Sequence, residues 1–257
     1  MLVKLKTYDE IMKIREAGKI LYEAMQLVED ELRPGITTGS LDTLVENFIT
    51  DHDSTPSFKG FQGYPNSICS SVGSQVVHGI PGDIVLKEGE IVSIDIGVNN
   101  GGYHADSART FILGEVDSMT TKLVGVTEKA LQLGIREAQI GKRIVDISRV
   151  IQEHAESNGF AVVRQLVGHG IGKSLHEEPK VPNFVEADPG PELEEGMVLA
   201  IEPMFNMELT EVTTEPDGWT IVSKDGKPSA HFEHTIAITK DGPKILTNGA
   251  PLILEAF

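Results

Sequence analysis

The sequence predicts an α+β fold, with helices packed on one side of a curved antiparallel sheet and the whole built as two duplicated halves. Three observations predict it. Two amphipathic helical patterns open the chain, strand-like runs and a hairpin follow them, and the same order then starts again. Helical periodicity begins at Thr7 and again near Asp117, so the repeat is roughly 110 residues long. The halves, about 1–113 and about 114–257, share little letter-by-letter identity, and no Ser-, Pro- or Gly-rich linker divides them. One domain over residues 1–257 is therefore expected.

Each element can be justified in order. Thr7-Tyr8-Asp9-Glu10 reads as a capping box. The stripe Ile11, Ile14, Gly18, Leu21, Met25, Val28 and Leu32 makes one helix face, and Pro34-Gly35 stops it. Leu41, Leu44, Val45, Phe48 and Ile49 mark a second helix. Beyond a loop at 56–65, strands are expected at 67–72 and 91–96, and a hairpin returns through 103–113. In the second half, helices are expected at 117–139, broken by Gly141, and at 144–157, ended by Asn158-Gly159. Strand-like runs follow at 161–167, 197–205, 220–222 and 232–239.

Composition narrows the function. The chain is 40% hydrophobic and 24% charged, which suits a folded globule rather than a disordered one. No apolar run approaches the ~18 residues of a membrane span, and the N-terminus lacks the long apolar stretch of a secretory signal. A single cysteine, Cys69, excludes an internal disulfide and a Cys-rich zinc module, so a reducing cytoplasm is the expected home. Thirty-nine acidic side chains against 22 basic ones, a net charge of −17, argue against nucleic-acid binding. The acidity serves solubility, unless some carboxylates converge on cations.

The segment 93–106 bears on that choice. Asn-Gly is a strong hairpin signal, because both turn positions take positive φ. With Asn100-Gly101 as the loop, Asn99 opposes Gly102, and Asp95 opposes Asp106 with Cβ atoms about 4.5–5.5 Å apart. Like charges so placed repel, and Asp95 sits in the apolar run Ile91, Val92, Ile94, Ile96. A cation converts that repulsion into chelation. The structural alternative has one aspartate capping a turn and the other pairing with Arg109. Longer loops also fit, and a one-residue slip would put the two carboxylates on opposite faces.

Partners for a metal lie further on. His169 stands between glycines in Gly168-His169-Gly170-Ile171-Gly172, and His176 opens His176-Glu177-Glu178-Pro179. Glu202 ends an apolar run before Pro203, and His231, Glu233 and Thr235 alternate along an expected strand. His52 and His154 read as solvated. His176-Glu177 is not a zinc-protease helix motif, because position 180 is lysine. Gly172-Lys173-Ser174 fails as a phosphate loop, because Val167 stands where the first glycine belongs. The glycines at 168, 170 and 172 have the wrong spacing for a dinucleotide fingerprint, and no Gly-x-Ser-x-Gly elbow occurs. Nothing in the sequence puts a base beside Cys69.

Together these residues resemble the type I methionine aminopeptidases of the pita-bread metallopeptidase family. The matching stretches are Gly63-Tyr64-Pro65 through Cys69, Val77-His78-Gly79-Ile80-Pro81, Asp95, Asp106, residues 168–172, 176–179, 201–203 and 233–235. They cover nearly the whole chain, in order and at the family's spacing. The resemblance implies a pseudo-twofold pair of halves, cytoplasmic location and removal of the initiator methionine from nascent proteins, with a small second residue preferred. It implies five ligands, Asp95, Asp106, His169, Glu202 and Glu233, for two divalent ions (Co, Mn, Fe or Zn), with Asp106 and Glu233 shared. Four carboxylates balance the charge of two such ions. In such sites a water shared by the two ions attacks the first peptide bond. By the same resemblance Glu202 shuttles the proton, and His78 and His176 face the substrate. Phe58, Phe61, Tyr64, Cys69, Leu175 and Trp219 would wall a pocket for the thioether.

This sequence departs from the family at two walls: many relatives carry tyrosine where Phe61 stands and an aromatic where Leu175 stands. Both replacements remain apolar. A lone cysteine cannot build the zinc-finger extension of eukaryotic type I relatives, and 202–233 leaves no room for the type II helical insertion, so a minimal bacterial-style monomer acting at the ribosome is expected. Rival readings are an Xaa-Pro aminopeptidase or prolidase, which usually adds an N-terminal domain, and a non-catalytic nascent-chain binder, which would have lost ligands. Metal storage would have no use for the histidines and aromatic walls.

Overall fold

A computed structural model describes residues 3–252, so both ends of the expected domain lie outside the described residues. Helix α1 spans Tyr8–Glu31 and α2 spans Thr38–Asp51; α3 spans Ser118–Glu137 and α4 spans Ile144–Ser157. The expected capping box opens α1: the Thr7 hydroxyl accepts from the Glu10 N–H, and the Glu10 carboxylate accepts from the Thr7 N–H. The buried face of α1 carries Ile11, Ile14, Gly18, Leu21, Met25 and Val28, the stripe read from sequence. Gly18 has a further cause: a Cβ there would lie 2.1 Å from the Leu246 carbonyl oxygen, where the C-terminal segment crosses the helix. Buried Arg15 ties that segment down by donating to the Leu246 and Ala250 carbonyls at 2.6 and 2.5 Å. No helix among the described residues is long and apolar enough to cross a membrane.

Each helix pair covers its own sheet. In the first half, the strand Glu90–Asn100 pairs with Tyr103–Leu113 on one edge and with Ile68–Val72 on the other. In the second, Val198–Ile201 lies between Gly168–Gly170 and His234–Ala237. One apolar core joins α1 and α2 to the first sheet, and another joins α3 and α4 to the second.

Three expected strands are interrupted. The run at 161–167 is a strand only over Ala161–Val162. The run at 197–205 divides into Val198–Ile201 and Met204–Asn206, because Pro203 has no N–H for the ladder. The run at 232–239 starts at His234, and Phe232-Glu233 separates it from Ser229–His231. His231, Glu233 and Thr235 therefore do not alternate along one strand. Glu202 and Glu233 each sit at one of these breaks.

The hairpin register also differs from expectation. The turn is Gly101-Gly102, with φ of 56° and 83°, and Asn100 pairs with Tyr103. Asp95 therefore opposes Ala108, and Asp106 opposes Gly97. Two glycines enter positive φ more easily than Asn-Gly, and the asparagines serve elsewhere. The Asn99 side chain accepts from the Gly102 N–H, and Asn100 donates to Ser54 Oγ. The slip moves the pairing by two positions, so both aspartates stay on one face as diagonal neighbours. Arg109 pairs with Glu29 at 2.6 Å, which removes the structural alternative for the aspartates.

Candidate metal centre and substrate pocket

The two half-structures meet at a cavity of about 430 Å³. Its floor gathers Asp95 and Asp106 from the hairpin, His169 from Gly168–Gly170, and Glu202 and Glu233 from the strand breaks. Ligand atoms of Asp106, His169 and Glu233 all lie within 4.8 Å of one another. Glu202 Oε1 is 3.6 Å from His169 Nε2.

Local chemistry holds each group. His169 Nδ1 lies 2.8 Å from the Gly170 carbonyl, which fixes the proton on Nδ1 and leaves Nε2 as a free lone pair. A Cβ at Gly168 would lie 2.4 Å from the Ala200 oxygen, and one at Gly170 would lie 2.2 Å from the Glu178 oxygen, so only glycine lets this strand thread between its neighbours. Gly97 plays the same part beside the aspartates, where a Cβ would lie 2.7 Å from the Phe58 ring. Thr235 Oγ1 accepts from the Asp106 N–H at 2.9 Å and donates to the Asp106 carbonyl at 2.8 Å. Ser107 Oγ donates to the Glu233 carbonyl at 2.6 Å, and the Glu233 N–H donates to the Ala108 carbonyl. These bonds stitch the hairpin of one half to the second glutamate break of the other.

The electrostatics are those of a cation site. Asp95 Oδ1, Asp106 Oδ1 and Glu233 Oε1 are buried without a hydrogen-bond partner. Burial pushes the Asp95 carboxyl up to about 7. Burial and neighbouring carboxylates push Asp106, Glu202 and Glu233 well above the ordinary range. Burial, with His176 alongside, drives His169 down to about 3, so its imidazole is neutral. Crowded carboxylates with orphaned oxygens and one neutral imidazole fit hard-to-borderline divalent ions.

All the expected substrate-side residues line the same cavity: His78, His176, Phe58, Phe61, Tyr64, Cys69, Leu175 and Trp219. His78 has φ of +58°, a strained conformation for this residue, and burial lowers its pKa to about 4. The His176 ring lies 4.2 Å from that of His169 and meets the Phe61 edge at 5.1 Å. Tyr64 and Trp219 pack in a T at 5.1 Å, and the Tyr64 hydroxyl donates to the Ile68 and Gly79 carbonyls. Burial pushes the Cys69 thiol well up and Asp95 adds to it, so it is a neutral wall rather than a nucleophile. His52 sits exposed at the end of α2, away from the cavity.

Sequence reasoning missed the Thr235 and Ser107 clamps, and it named His231 only as a candidate on an alternating strand, without a place in the ligand set. That histidine is buried 3.8 Å from Glu202 Oε2. Its place two residues before Glu233 was the available signal.

A family model for metallopeptidase family M24 matches residues 12–240. The chain belongs to metallopeptidase family M24. It is 53% identical over 246 residues to a methionine aminopeptidase of Clostridium perfringens, covering 96% of this chain and 99% of that one. The crystal structure of the Thermotoga maritima methionine aminopeptidase superposes with a TM-score of 0.94 at 44% identity, covering 96% of this chain and all of that one. The pita-bread fold expected from the sequence is thus the fold of this M24 chain. A Pyrococcus furiosus prolidase shares that fold alone, at 23% identity and a TM-score of 0.75, over 66% of its own length.

Proposed function

We propose that this M24 chain removes the initiator methionine from nascent proteins in the cytoplasm, acting as a monomer and preferring a small second residue. One observation carries the reading: the five-residue cluster opens directly into a cavity walled by Phe58, Phe61, Tyr64, Cys69, Leu175 and Trp219, which suits a thioether side chain. The 53% identity to the Clostridium perfringens methionine aminopeptidase supports it.

In this reading Asp95, Asp106, His169, Glu202 and Glu233 would hold two divalent ions. Bound there, such ions supply Lewis acidity and lower the pKa of water. Glu202 takes a proton from the attacking water and returns it to the leaving amine. His78 and His176 donate hydrogen bonds to the substrate carbonyl as charge develops on it. The apolar walls exclude water and seat the methionine.

The test is release of free methionine from a Met-Ala peptide by chelator-stripped protein, with Mn, Co, Fe and Zn restored singly. Release that depends on metal and vanishes in Asp106→Asn is expected. Cleavage of an Xaa-Pro peptide in place of the methionine peptide would transfer the chain to the prolidase-like activity. A folded protein that binds metal and cuts neither peptide would be a binding protein.

A further inference from the structure

Behind the cavity floor, beside Glu202, lies His231, to which the proposed chemistry gives no work. Its side chain is 2% exposed, and neither ring nitrogen has a hydrogen-bond partner. A buried imidazole without partners is unfavourable wherever it lies. The surroundings do not let the ring escape. Thr110 Oγ1 accepts from the His231 N–H at 2.9 Å and donates to its carbonyl at 2.8 Å, and the same hydroxyl is paired with Ser93 Oγ. The backbone of Ser229–His231 is further paired with Met204–Asn206, immediately beyond the Glu202-Pro203 break.

The ring points at Glu202. Glu202 Oε1 faces His169 Nε2 at 3.6 Å, and Glu202 Oε2 faces His231 Nε2 at 3.8 Å. The main chain at Glu202 is held separately, because Asn183 Nδ2 donates to its carbonyl at 3.0 Å. One carboxylate thus lies between two imidazoles, one on the cavity floor and one behind it. A carboxylate that commits one oxygen to an ion keeps lone pairs on the other, and in a dry site those need a donor. His231 Nε2 is the ring nitrogen placed to supply it.

We infer that His231 is a positioning residue: it donates from Nε2 to Glu202 Oε2 and fixes the carboxylate with Oε1 turned toward His169. This rests on the proposed metal centre. It assigns the outer oxygen of Glu202 a partner from this chain, and it makes the break at Glu202-Pro203 and the strand Ser229–His231 one functional unit.

The experiment compares apo full-length wild type with His231→Leu, His231→Gln and Asp106→Asn by calorimetric titration with Mn²⁺, and records visible spectra of the Co²⁺-loaded forms. His231→Leu removes the donor at similar bulk, and His231→Gln retains an N–H. Weakening of Mn²⁺ binding by about 10- to 100-fold and an altered Co²⁺ spectrum are expected in His231→Leu, with most of the affinity kept in His231→Gln. Equal affinity and equal spectra in wild type and His231→Leu overturn the role of His231. Equal affinity in wild type and Asp106→Asn overturns the metal centre itself, so the two failures are distinguishable. If His231→Leu does not fold, ¹⁵N NMR of the Zn²⁺-loaded wild type decides: a proton on Nε2 of His231 supports the assignment, and a proton on Nδ1 alone overturns it.

Discussion

The two halves deliver their carboxylates by opposite means. Asp95 and Asp106 stand on an uninterrupted ladder, Glu90–Asn100 against Tyr103–Leu113, and register alone puts them on one face. Glu202 and Glu233 stand where strands stop, between Val198–Ile201 and Met204–Asn206 and between Ser229–His231 and His234–Ala237. A residue on a ladder inherits its position from its neighbours. A residue at a break must be held by side chains, and here Ser107 holds Glu233 and Asn183 holds Glu202 by their carbonyls. The break glutamates depend on these bonds for their placement, whereas Asp106 has the ladder and the Thr235 clamp together.

The largest expected effect treats the two deliveries as one site. Asp106→Asn from the ladder and Glu233→Gln from the break should each lower kcat/KM for Met-Ala on the order of 10³-fold, since several kcal/mol of transition-state stabilisation depends on the ions. Steady-state release of methionine measures this. If one variant stays within tenfold of wild type, the halves do not converge on a common centre.

Protonation sharpens the same comparison. Asp95 is raised to about 7, Asp106, Glu202 and Glu233 are raised well above their ordinary range, and His169 is lowered to about 3. Below neutral pH the carboxyls hold protons that must leave before an ion binds, whereas His169 is already neutral. Mn²⁺ affinity should therefore rise with pH between 5 and 7, by about tenfold per unit for each proton released. Titrations in buffers of different ionisation enthalpy count those protons, and a pH-independent affinity would contradict the raised values.

Next in size is a break of the clamp alone. Thr235→Val keeps the shape but removes the hydroxyl that serves both the N–H and the carbonyl of Asp106. The buried N–H left unsatisfied should cost about 2 kcal/mol, read as a lower urea midpoint. Loss of less than about 0.5 kcal/mol would mean that the ladder by itself holds Asp106.

The contrast between halves also explains what the sequence disclosed. Helix α1 was legible down to its capping box, because an apolar stripe at 3.6-residue spacing and a Thr–Glu pair are local signals. So was α4, whose bounds are those read from the sequence. The five residues that line the cavity floor were legible through the resemblance of motifs spread along the chain. What was not legible depended on contacts far apart in sequence. The breaks at Glu202-Pro203 and Phe232-Glu233 interrupt apolar runs that read as continuous strands, and the Thr235–Asp106 bonds join residues 129 apart. His231 was left out of the ligand set for the same reason: its significance lies in Glu202, at a break far away in the sequence.

The smallest effect tests the ladder at its tip, where the sequence reading and the structure differ. With a turn at Asn100-Gly101, Gly102 would be a strand residue, and Gly102→Ala would stabilise by about 0.5–1 kcal/mol by restricting the unfolded chain. In the observed turn Gly102 has φ of 83°, a conformation that alanine resists, and the same substitution should destabilise by about 1 kcal/mol. The two registers thus predict opposite signs for one methyl group. Urea unfolding of Gly102→Ala reads that sign. A stabilised variant would favour the register with Asp95 and Asp106 in direct opposition, and a destabilised one keeps them diagonal, with Gly97 opposite Asp106 leaving room for the Phe58 ring.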